Sequence, residues 1–390
     1  MSADAASQRL GVSKSTLYAY VSRGLLTAVA DPHDPRSRRY STFEVDLLVR
    51  RKGGRRKQIQ QTLAAVNEGW PILDTALSCI SDGQPIYRGH NALTLAESAT
   101  VEDVARLLWQ CDPHDPFDAP APDLGELWHG LAAALLRRPV QERALSLLAL
   151  AQPALQGPAW LTDPHALARG AAQHLRAAIA CFLAKPPEVR PIHEQFVRAW
   201  RLRRQAADPL RRALVLAADH EMNMIAFVAR ALSSAGADMG AALLAAMCNL
   251  SATFNGGATE RVESLWDELV AQRDLRTAVG ARLAKGEGLP GFNHLAYPAG
   301  DPRAAMLLAV CESLAPLPPI AATVEGLTGW KPSIDFAFVA LRRALGAPAG
   351  AALTMQFAGR CVGVIGHILE QRRSGQRIMT RARYVGPLPS

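Results

Sequence analysis

Four short segments of this 390-residue chain place side chains capable of acid–base chemistry in apolar or Gly/Pro-rich surroundings. They are residues 217–223 (AADHEMN), 250–258 (LSATFNGGA), 290–303 (PGFNHLAYPAGDPR) and 331–335 (KPSID). Carboxylates such as Asp335 and histidines such as His220 and His294 are the side chains that general acid–base catalysis uses most often. Each residue also has a structural interpretation: His220 as a core or capping histidine, His294 as a loop histidine and Asp335 as a helix N-cap.

Helical patterns must position these segments. Apolar residues recur at i, i+3, i+4 and i+7 in long Ala/Leu-rich stretches, whereas alternating patterns of β-branched residues are scarce. Clusters of proline and glycine separate the stretches. The pattern predicts helices at 125–151, 166–184, 210–234, 239–253, 303–315 and 336–345, with segment 217–223 inside one of them. We therefore predict an all-α body.

The first residues have the pattern of a small DNA-binding module. Residues 2–10 suit a helix that ends at Gly11, and a second helix, capped by Ser13 or Ser15, runs to Arg23. In a helix-turn-helix layout the second helix enters the major groove. Side chains that could contact phosphates or base edges are Lys14, Ser15, Thr16, Tyr18, Tyr20, Arg23 and, from a wing-like turn, Arg38 and Arg39. The alternative is a small bundle whose basic face is simply solvated.

Positive charge is concentrated at this end of the chain. Residues 1–58 hold 12 Lys/Arg and 5 Asp/Glu, a net charge of +7. The remaining residues hold 31 Lys/Arg and 30 Asp/Glu, a net charge of +1. A localised basic region indicates an anionic partner. We therefore predict a DNA-binding domain at residues 1–57, with a third helix from about Thr42 and a basic linker.

Composition argues against several other classes of protein. The sequence has no run of 18 apolar residues and no apolar signal core near its start, so we predict neither a membrane span nor a secretory leader. The six cysteines are scattered and form no CxxC pair. This spacing suits reduced thiols in a cytoplasm and predicts no metal site.

Taken in this order, the four segments resemble the citrate synthase family over roughly residues 60–387. Flanking motifs extend the resemblance: residues 82–89 (DGQPIYRG), 359–371 (GRCVGVIGHILEQ) and 381–386 (RARYVG). The N-terminal stretch SADAASQRLGVSKSTLYAYVSRGLL is similar to the start of MerR-type or excisionase-type helix-turn-helix domains. The resemblance implies an all-α homodimer with a large domain (58–255 and 346–390). A small domain (256–345) would close over the substrates.

Members of this family condense an acyl-CoA, usually acetyl-CoA, with oxaloacetate and then hydrolyse the thioester. The resemblance implies that Asp335 is the base and that His294 polarises and protonates the ketone. His220 then matches a second histidine that binds oxaloacetate, and Arg303 an arginine that grips a substrate carboxylate. It implies no cofactor, because the acyl-CoA is itself a substrate.

Several positions depart from the family pattern. Asn255 stands where relatives have a histidine that donates to the thioester oxygen, although an amide can still donate. Met379 takes the place of a carboxylate-binding arginine, with Arg377 and Arg381 nearby in sequence. Relatives often supply a further arginine from the partner's extreme C-terminus, and we expect no counterpart of it after the YVGPLPS ending. Pro298 stands where many relatives have a basic residue that serves the CoA phosphates. Losing one catalytic donor typically costs about 10²–10³ in rate.

Two functional hypotheses follow. The first is condensation of an acyl-CoA with oxaloacetate or a related 2-oxoacid, of citrate or 2-methylcitrate synthase type, with reduced or altered activity. The alternative is a catalytically impaired relative that senses a ligand and regulates DNA binding. The retained Asp335, His294 and His220 favour the enzyme, because a pure sensor would have no use for the base. The basic N-terminus and the changed site both favour the regulator, and a dimer would match two-fold operators.

Overall fold

The computed structural model describes two compact units, Met1–Asp74 and Thr75–Ser390. The residues that it describes are 1–22, 26, 28–31, 34–40, 45, 73–111, 115–155, 163–252, 257–379 and 386. Each unit is considered separately below.

The first unit starts with two short helices. Helix α1 (Ala3–Leu10) is capped by Ser2, whose hydroxyl accepts from the Ala5 amide, and ends at Gly11 in the left-handed conformation (φ 60°). Helix α2 (Lys14–Ser22) begins after Ser13, whose hydroxyl accepts from the Thr16 amide at 3.2 Å. These bounds agree with the helices expected from the sequence to within one or two residues.

An antiparallel hairpin of β1 (Ala28–Asp31) and β2 (Asp34–Tyr40) follows in this unit. Leu17 is fully buried in the small core, whereas Lys14, Ser15 and Arg38 are exposed and Tyr18 is 51% exposed. Tyr20 packs partly buried against that core, and Thr16 is half-buried. Arg23, the side chain of Arg39 and most of the expected third helix from Thr42 lie outside the described residues.

The second unit opens with a small antiparallel sheet and is otherwise helical where it is described, so the predicted all-α body is confirmed. The strands are β3 (Ser78–Ser81), β4 (Gln84–Tyr87) and β5 (His90–Asn91). The helices are α3 (Ala92–Ser98), α4 (Val101–Trp109), α5 (Gly125–Leu135), α6 (Val140–Leu155), α7 (Pro164–Leu183), α8 (Ile192–Ala199), α9 (Ala207–Ala217), α10 (Met224–Ser234), α11 (Met239–Met247), α12 (Gly257–Val270), α13 (Leu275–Ala284), α14 (Pro302–Leu314), α15 (Ile320–Thr328), α16 (Ile334–Leu345) and α17 (Ala351–Ser374). Short 3₁₀ turns lie at Pro116–Asp118, Arg204–Ala206 and Cys248–Ser251.

Helix α17 forms the centre of this unit. It packs against α4, α7, α9, α10, α11 and α16. Its length and apolar composition would allow it to cross a membrane, but 94% of its most apolar stretch is buried inside the protein. That burial is typical of the core helix of a globular protein. Helices α12 and α14 pack on α16, and α13 packs on α15. The division into a large domain and a small domain at 256–345 stays a prediction.

Two of the expected helices are interrupted. The stretch 125–151 divides into α5 and α6 just before Val140, because the residue before Pro139 is disfavoured in the helical conformation. The stretch 210–234 divides at residues 218–223, so the expectation that segment 217–223 is helical holds for Ala217 and was wrong for the other six residues.

The break at 218–223 has a physical cause in its polar groups. Asp219 is 1% exposed and accepts a 2.6 Å hydrogen bond from the Ser78 hydroxyl, while the Ala218 carbonyl accepts from the amide of Gly363 on α17. In a continuous helix the Ala218 carbonyl would instead accept from an amide of the same helix. The Asn223 side chain then caps α10 by accepting from a backbone amide at 3.0 Å.

We expect Gly363→Ala to destabilise the protein by about 1–3 kcal/mol, the usual range for overpacking. A Cβ at Gly363 would overlap the Ala218 carbonyl and lie 2.5 Å from Asp219 Oδ1. The matched control is Gly170→Ala in α7, where a Cβ meets no atom within 4 Å. There the better helix propensity of alanine should add up to about 1 kcal/mol. Chemical denaturation of both variants measures their free energies of unfolding, and an equal change in the two variants would contradict this expectation.

Candidate functional site

One cavity of the second unit, about 260 Å³ in volume, contains four of the residues singled out from the sequence. They are His220, His294, Arg303 and Asp335. Further polar side chains at the cavity are Asn223, Gln356 and Arg360, and its apolar wall consists of Ile225, Ala258, Ile334 and Phe357. A carboxylate, two imidazoles and two guanidinium groups thus share one small space.

Backbone pairing brings His294 close to Asp335. Residues 291–293 and 331–333 are joined by two N–H···O hydrogen bonds of 3.0 and 2.7 Å and by an isolated antiparallel bridge. His294 directly follows the first of these stretches, and Asp335 lies two residues after the end of the second. Their relative position is therefore fixed by main-chain hydrogen bonds rather than by the side chains themselves.

A buried ion pair holds Arg303 at the cavity. Asp301 and Arg303 are 3% and 2% exposed, and the carboxylate accepts from Nε at 3.0 Å and Nη2 at 2.8 Å. Asp301 also accepts from the backbone amide of Ile334 at 3.0 Å, which ties α14 to the start of α16. Burial opposes the charge of Arg303, but the adjacent carboxylate outweighs it and keeps the pKa of the guanidinium above its ordinary value. Nη1 makes no bond to Asp301, so it remains for an anionic ligand.

Asp335 occupies the first turn of α16 and has the surroundings of a general base. Its Oδ1 accepts from Gln356 Nε2 at 2.8 Å, and its Oδ2 lies 3.4 Å from the Ser333 hydroxyl. Burial raises the pKa of the carboxyl above 3.8, although Arg303 and His294 oppose the rise. A carboxylate with a raised pKa is a stronger proton acceptor, and enzymes tune their bases in this way.

His294 is held as a neutral hydrogen-bond donor. Its Nδ1 accepts from the backbone amide of Ala296 at 3.2 Å, so the proton of the neutral ring resides on Nε2. Burial, and then the positive charge of Arg303, lowers the pKa of the imidazole. The ring of His220 stands edge-on to it, with 5.2 Å between the ring centroids. Nε2–H of His294 can therefore donate to a substrate oxygen at neutral pH.

Arg360 is a site residue that the sequence reasoning did not single out. It projects from α17, is 9% exposed, and lies 3.4 Å from Asp219 Oδ1. His367 lies 3.3 Å from the other oxygen of Asp219, so one buried carboxylate supports both. The signal was available in the sequence, because a lone arginine in a long apolar helix is rarely buried without a charged partner.

The other positions singled out from the sequence do not line this cavity where the structure describes them. Asn255 and Arg381 lie outside the described residues. Met379 is 87% exposed, and Arg377 and Pro298 are exposed as well. Within the described ranges, no group of three or more His, Cys, Asp or Glu side chains could hold a metal ion.

We expect the free energy of unfolding to fall between pH 7 and pH 5, partly because of His220. Its folded-state pKa lies well below 6.5, because burial, Arg303 and Arg360 all disfavour the imidazolium. The unfolded chain therefore takes up a proton first, and stability is lost as the pH falls through about 6.5. Denaturant unfolding at both pH values should show a smaller loss for His220→Gln than for the wild type. Equal losses would contradict this expectation.

Comparison with known proteins places the site in context. Residues 66–383 match the family described as "Citrate synthase, C-terminal domain". The chain is 27% identical to "Citrate synthase 2" of Bacillus subtilis (strain 168) over 365 residues, 82% of this chain and 95% of that protein. For relatives in Mycobacterium, with 38% identity over 187 residues, the match spans 45% of this chain and about half (50%) of their own length.

The fold is shared with solved structures. Citrate synthase from Thermotoga maritima superposes with a TM-score of 0.68 at 22% identity, covering 83% of this chain and 95% of that one. A second solved structure is a ternary complex of carboxymethyl coenzyme A and oxaloacetate with citrate synthase from Thermoplasma acidophilum. It superposes with a TM-score of 0.65 at 22% identity and covers 82% of this chain and 95% of that one. At these identities the likeness concerns the fold.

Proposed function

Because the chain belongs to the citrate synthase family, we propose that it condenses an acyl-CoA, acetyl-CoA or propionyl-CoA, with oxaloacetate or a related 2-oxoacid. The observation that carries this proposal is the meeting of Asp335, His294 and Arg303 in one cavity. The complex of the Thermoplasma relative with a CoA analogue and oxaloacetate supports the choice of substrates.

Each residue has a part in the proposed reaction. Asp335 takes a proton from the α-carbon of the thioester, whose electron pair then attacks the ketone carbon of the 2-oxoacid. The neutral His294 donates to the ketone oxygen and transfers its proton as the alkoxide forms. Arg303 and Arg360 bind the carboxylates of the 2-oxoacid. Water then hydrolyses the thioester and releases the CoA thiol.

A second, larger cavity of about 870 Å³ suits the rest of the thioester. It includes Gly257, the residue before Ala258 of the small cavity, together with Leu289 and Pro290. Arg261 and Arg282 supply positive charge there, although Arg282 is paired with Glu268 at 2.6 Å. We propose that CoA occupies this groove with its acyl end toward Asp335.

We also propose that activity is reduced or altered relative to other family members. Asn255 would donate to the thioester oxygen in place of a histidine, and an amide has a different reach and angle. Met379 cannot pair with a carboxylate. A dianionic substrate that loses one cationic partner in a dry cavity binds more weakly.

A thiol-release assay tests the proposal. Oxaloacetate and other 2-oxoacids are each combined with acetyl-CoA and propionyl-CoA, and released CoA is measured against a reaction without enzyme. Release that depends on both substrates is expected. If no combination exceeds the background, the enzymatic proposal is wrong.

The alternative proposal, a ligand-sensing regulator that binds DNA, is favoured by one observation. The first unit carries most of the net positive charge of the chain and exposes Lys14, Ser15 and Arg38. Lys14 is engaged with Asp4 at 2.6 Å, but that pair is exposed and screened. A cytoplasmic homodimer would present two such modules to a two-fold operator.

DNA binding by the full chain tests this alternative. Binding to a promoter fragment should weaken steeply with salt, because each phosphate contact releases a counterion. Arg38→Gln should make the slope of log K against log salt concentration shallower by about one, the amount expected for the loss of one phosphate contact. Absence of binding at every salt concentration would exclude the regulator, whereas DNA binding together with no CoA release would favour it over the enzyme.

A further inference from the structure

Gln356 contacts the proposed base directly. It projects from α17 into the wall of the small cavity, and its Nε2 donates to Asp335 Oδ1 at 2.8 Å. Among the residues that the structure describes, the other carboxylate oxygen, Oδ2, has only a long 3.4 Å contact with the Ser333 hydroxyl. The two oxygens of Asp335 are therefore unequal: a good hydrogen bond occupies Oδ1, and Oδ2 is weakly held.

We propose that Gln356 is a positioning residue, which fixes the Asp335 carboxylate through its amide N–H and leaves Oδ2 to take the α-proton. In this step the C–H bond at the α-carbon of the acyl group breaks and an O–H bond forms at Oδ2. The electron pair of the C–H bond passes to the enolate. The assignment of this step rests on the proposed function, whereas the hydrogen bond from Gln356 that fixes the Asp335 carboxylate does not.

The other end of the glutamine amide argues against a role in packing alone. Gln356 Oε1 is buried and receives no hydrogen bond from any residue that the structure describes. A buried acceptor without a donor is costly, and an apolar side chain of the same size would avoid that cost. Turning the amide over would place Oε1 against an ionised carboxylate, which is worse. The residue is thus well suited only to donating a hydrogen bond to Asp335.

Charges around Asp335 come from several elements, and Gln356 adds to their effect. Arg303 on α14, and then His294, favour the carboxylate, whereas Asp301 disfavours it. His220 and, on α17, Arg360 also line the cavity. A hydrogen bond to the ionised form lowers the pKa of a carboxyl group. Removing the amide should therefore raise the pKa of Asp335 above its already raised value.

The experiment compares the wild type with Gln356→Met, which keeps the length of the side chain and removes the donor. The Asp335 carboxyl is titrated by ¹³C NMR of aspartate-labelled protein, with Asp335→Asn used to assign the signal. We expect its pKa to rise by about one pH unit. The acid limb of kcat should shift equally, kcat should fall roughly tenfold, and KM for the 2-oxoacid should stay the same. Thermal stability should not fall.

The control is Gln371→Met on the same helix. Gln371 is buried and accepts from Arg230 Nε at 2.8 Å, at a distance from Asp335 along α17. That variant should lose stability without any change in the titration of Asp335. If Gln356→Met does not fold, Gln356→Glu replaces it, because two carboxylates in contact share a proton and raise the pKa further.

An unchanged Asp335 titration in the folded variant overturns the proposal, as does a fall in stability with no shift of the acid limb. If the wild type releases no CoA, the proposed function fails, and the NMR titration, which needs no substrate, still decides the role of Gln356.

Discussion

Asp335→Asn is expected to lower kcat of the condensation by about 10²- to 10⁴-fold, the range attributed to a positioned general base. Asparagine keeps the shape of the side chain and can still accept a hydrogen bond, but it cannot take a proton from carbon. KM for the 2-oxoacid should change little, because in the proposed reaction Arg303 and Arg360, rather than Asp335, bind its carboxylates. Thiol release under saturating substrate measures the effect, with the exposed Asp118→Asn as control.

The same variant should be as stable as the wild type or more stable at neutral pH. The folded-state pKa of Asp335 is raised, so the native protein favours the protonated carboxyl and its ionised form costs stability above that pKa. The advantage of asparagine should therefore shrink as the pH falls toward 3.8. A large loss of both stability and activity would mean that Asp335 has a structural role, which would contradict its assignment as the base.

Arg303→Met is expected to lower the free energy of unfolding by about 3–5 kcal/mol, because it leaves the Asp301 carboxylate buried without its partner. Asp301 is 3% exposed and accepts two hydrogen bonds from Arg303. The substitution should also raise KM for the 2-oxoacid. Chemical denaturation and steady-state kinetics measure these two effects separately.

Two comparisons make this expectation specific. The double variant Asp301→Asn/Arg303→Met removes the stranded charge and should recover much of the stability, but not the low KM. Arg138→Met breaks an exposed pair with Glu142, whose side chains are 62% and 50% exposed, and should cost no more than about 1 kcal/mol. If Arg138→Met and Arg303→Met lower the free energy of unfolding equally, the Asp301 carboxylate is not a buried, uncompensated charge in Arg303→Met.

Most of the helical architecture and the identity of four cavity residues could be predicted from the sequence. Periodicity at i, i+3, i+4 and i+7 determines which stretches bury an apolar face, whatever their partners are. Ser2 and Gly11 marked the ends of α1 because capping depends on local backbone chemistry. The order of the motifs indicated that His294 and Asp335 belong to one site, by resemblance alone.

Only the tertiary structure decided how that site is supported. The segment around His220 leaves the helix because Asp219 bonds to Ser78 and lies beside Arg360, partners that lie 141 residues away in either direction. Gln356 and Arg360 reach the cavity because α17 runs through the core. Local sequence patterns carry no information about contacts between residues so far apart in the chain. Periodicity reports on burial along one element, whereas the pairing of buried charges depends on which elements meet.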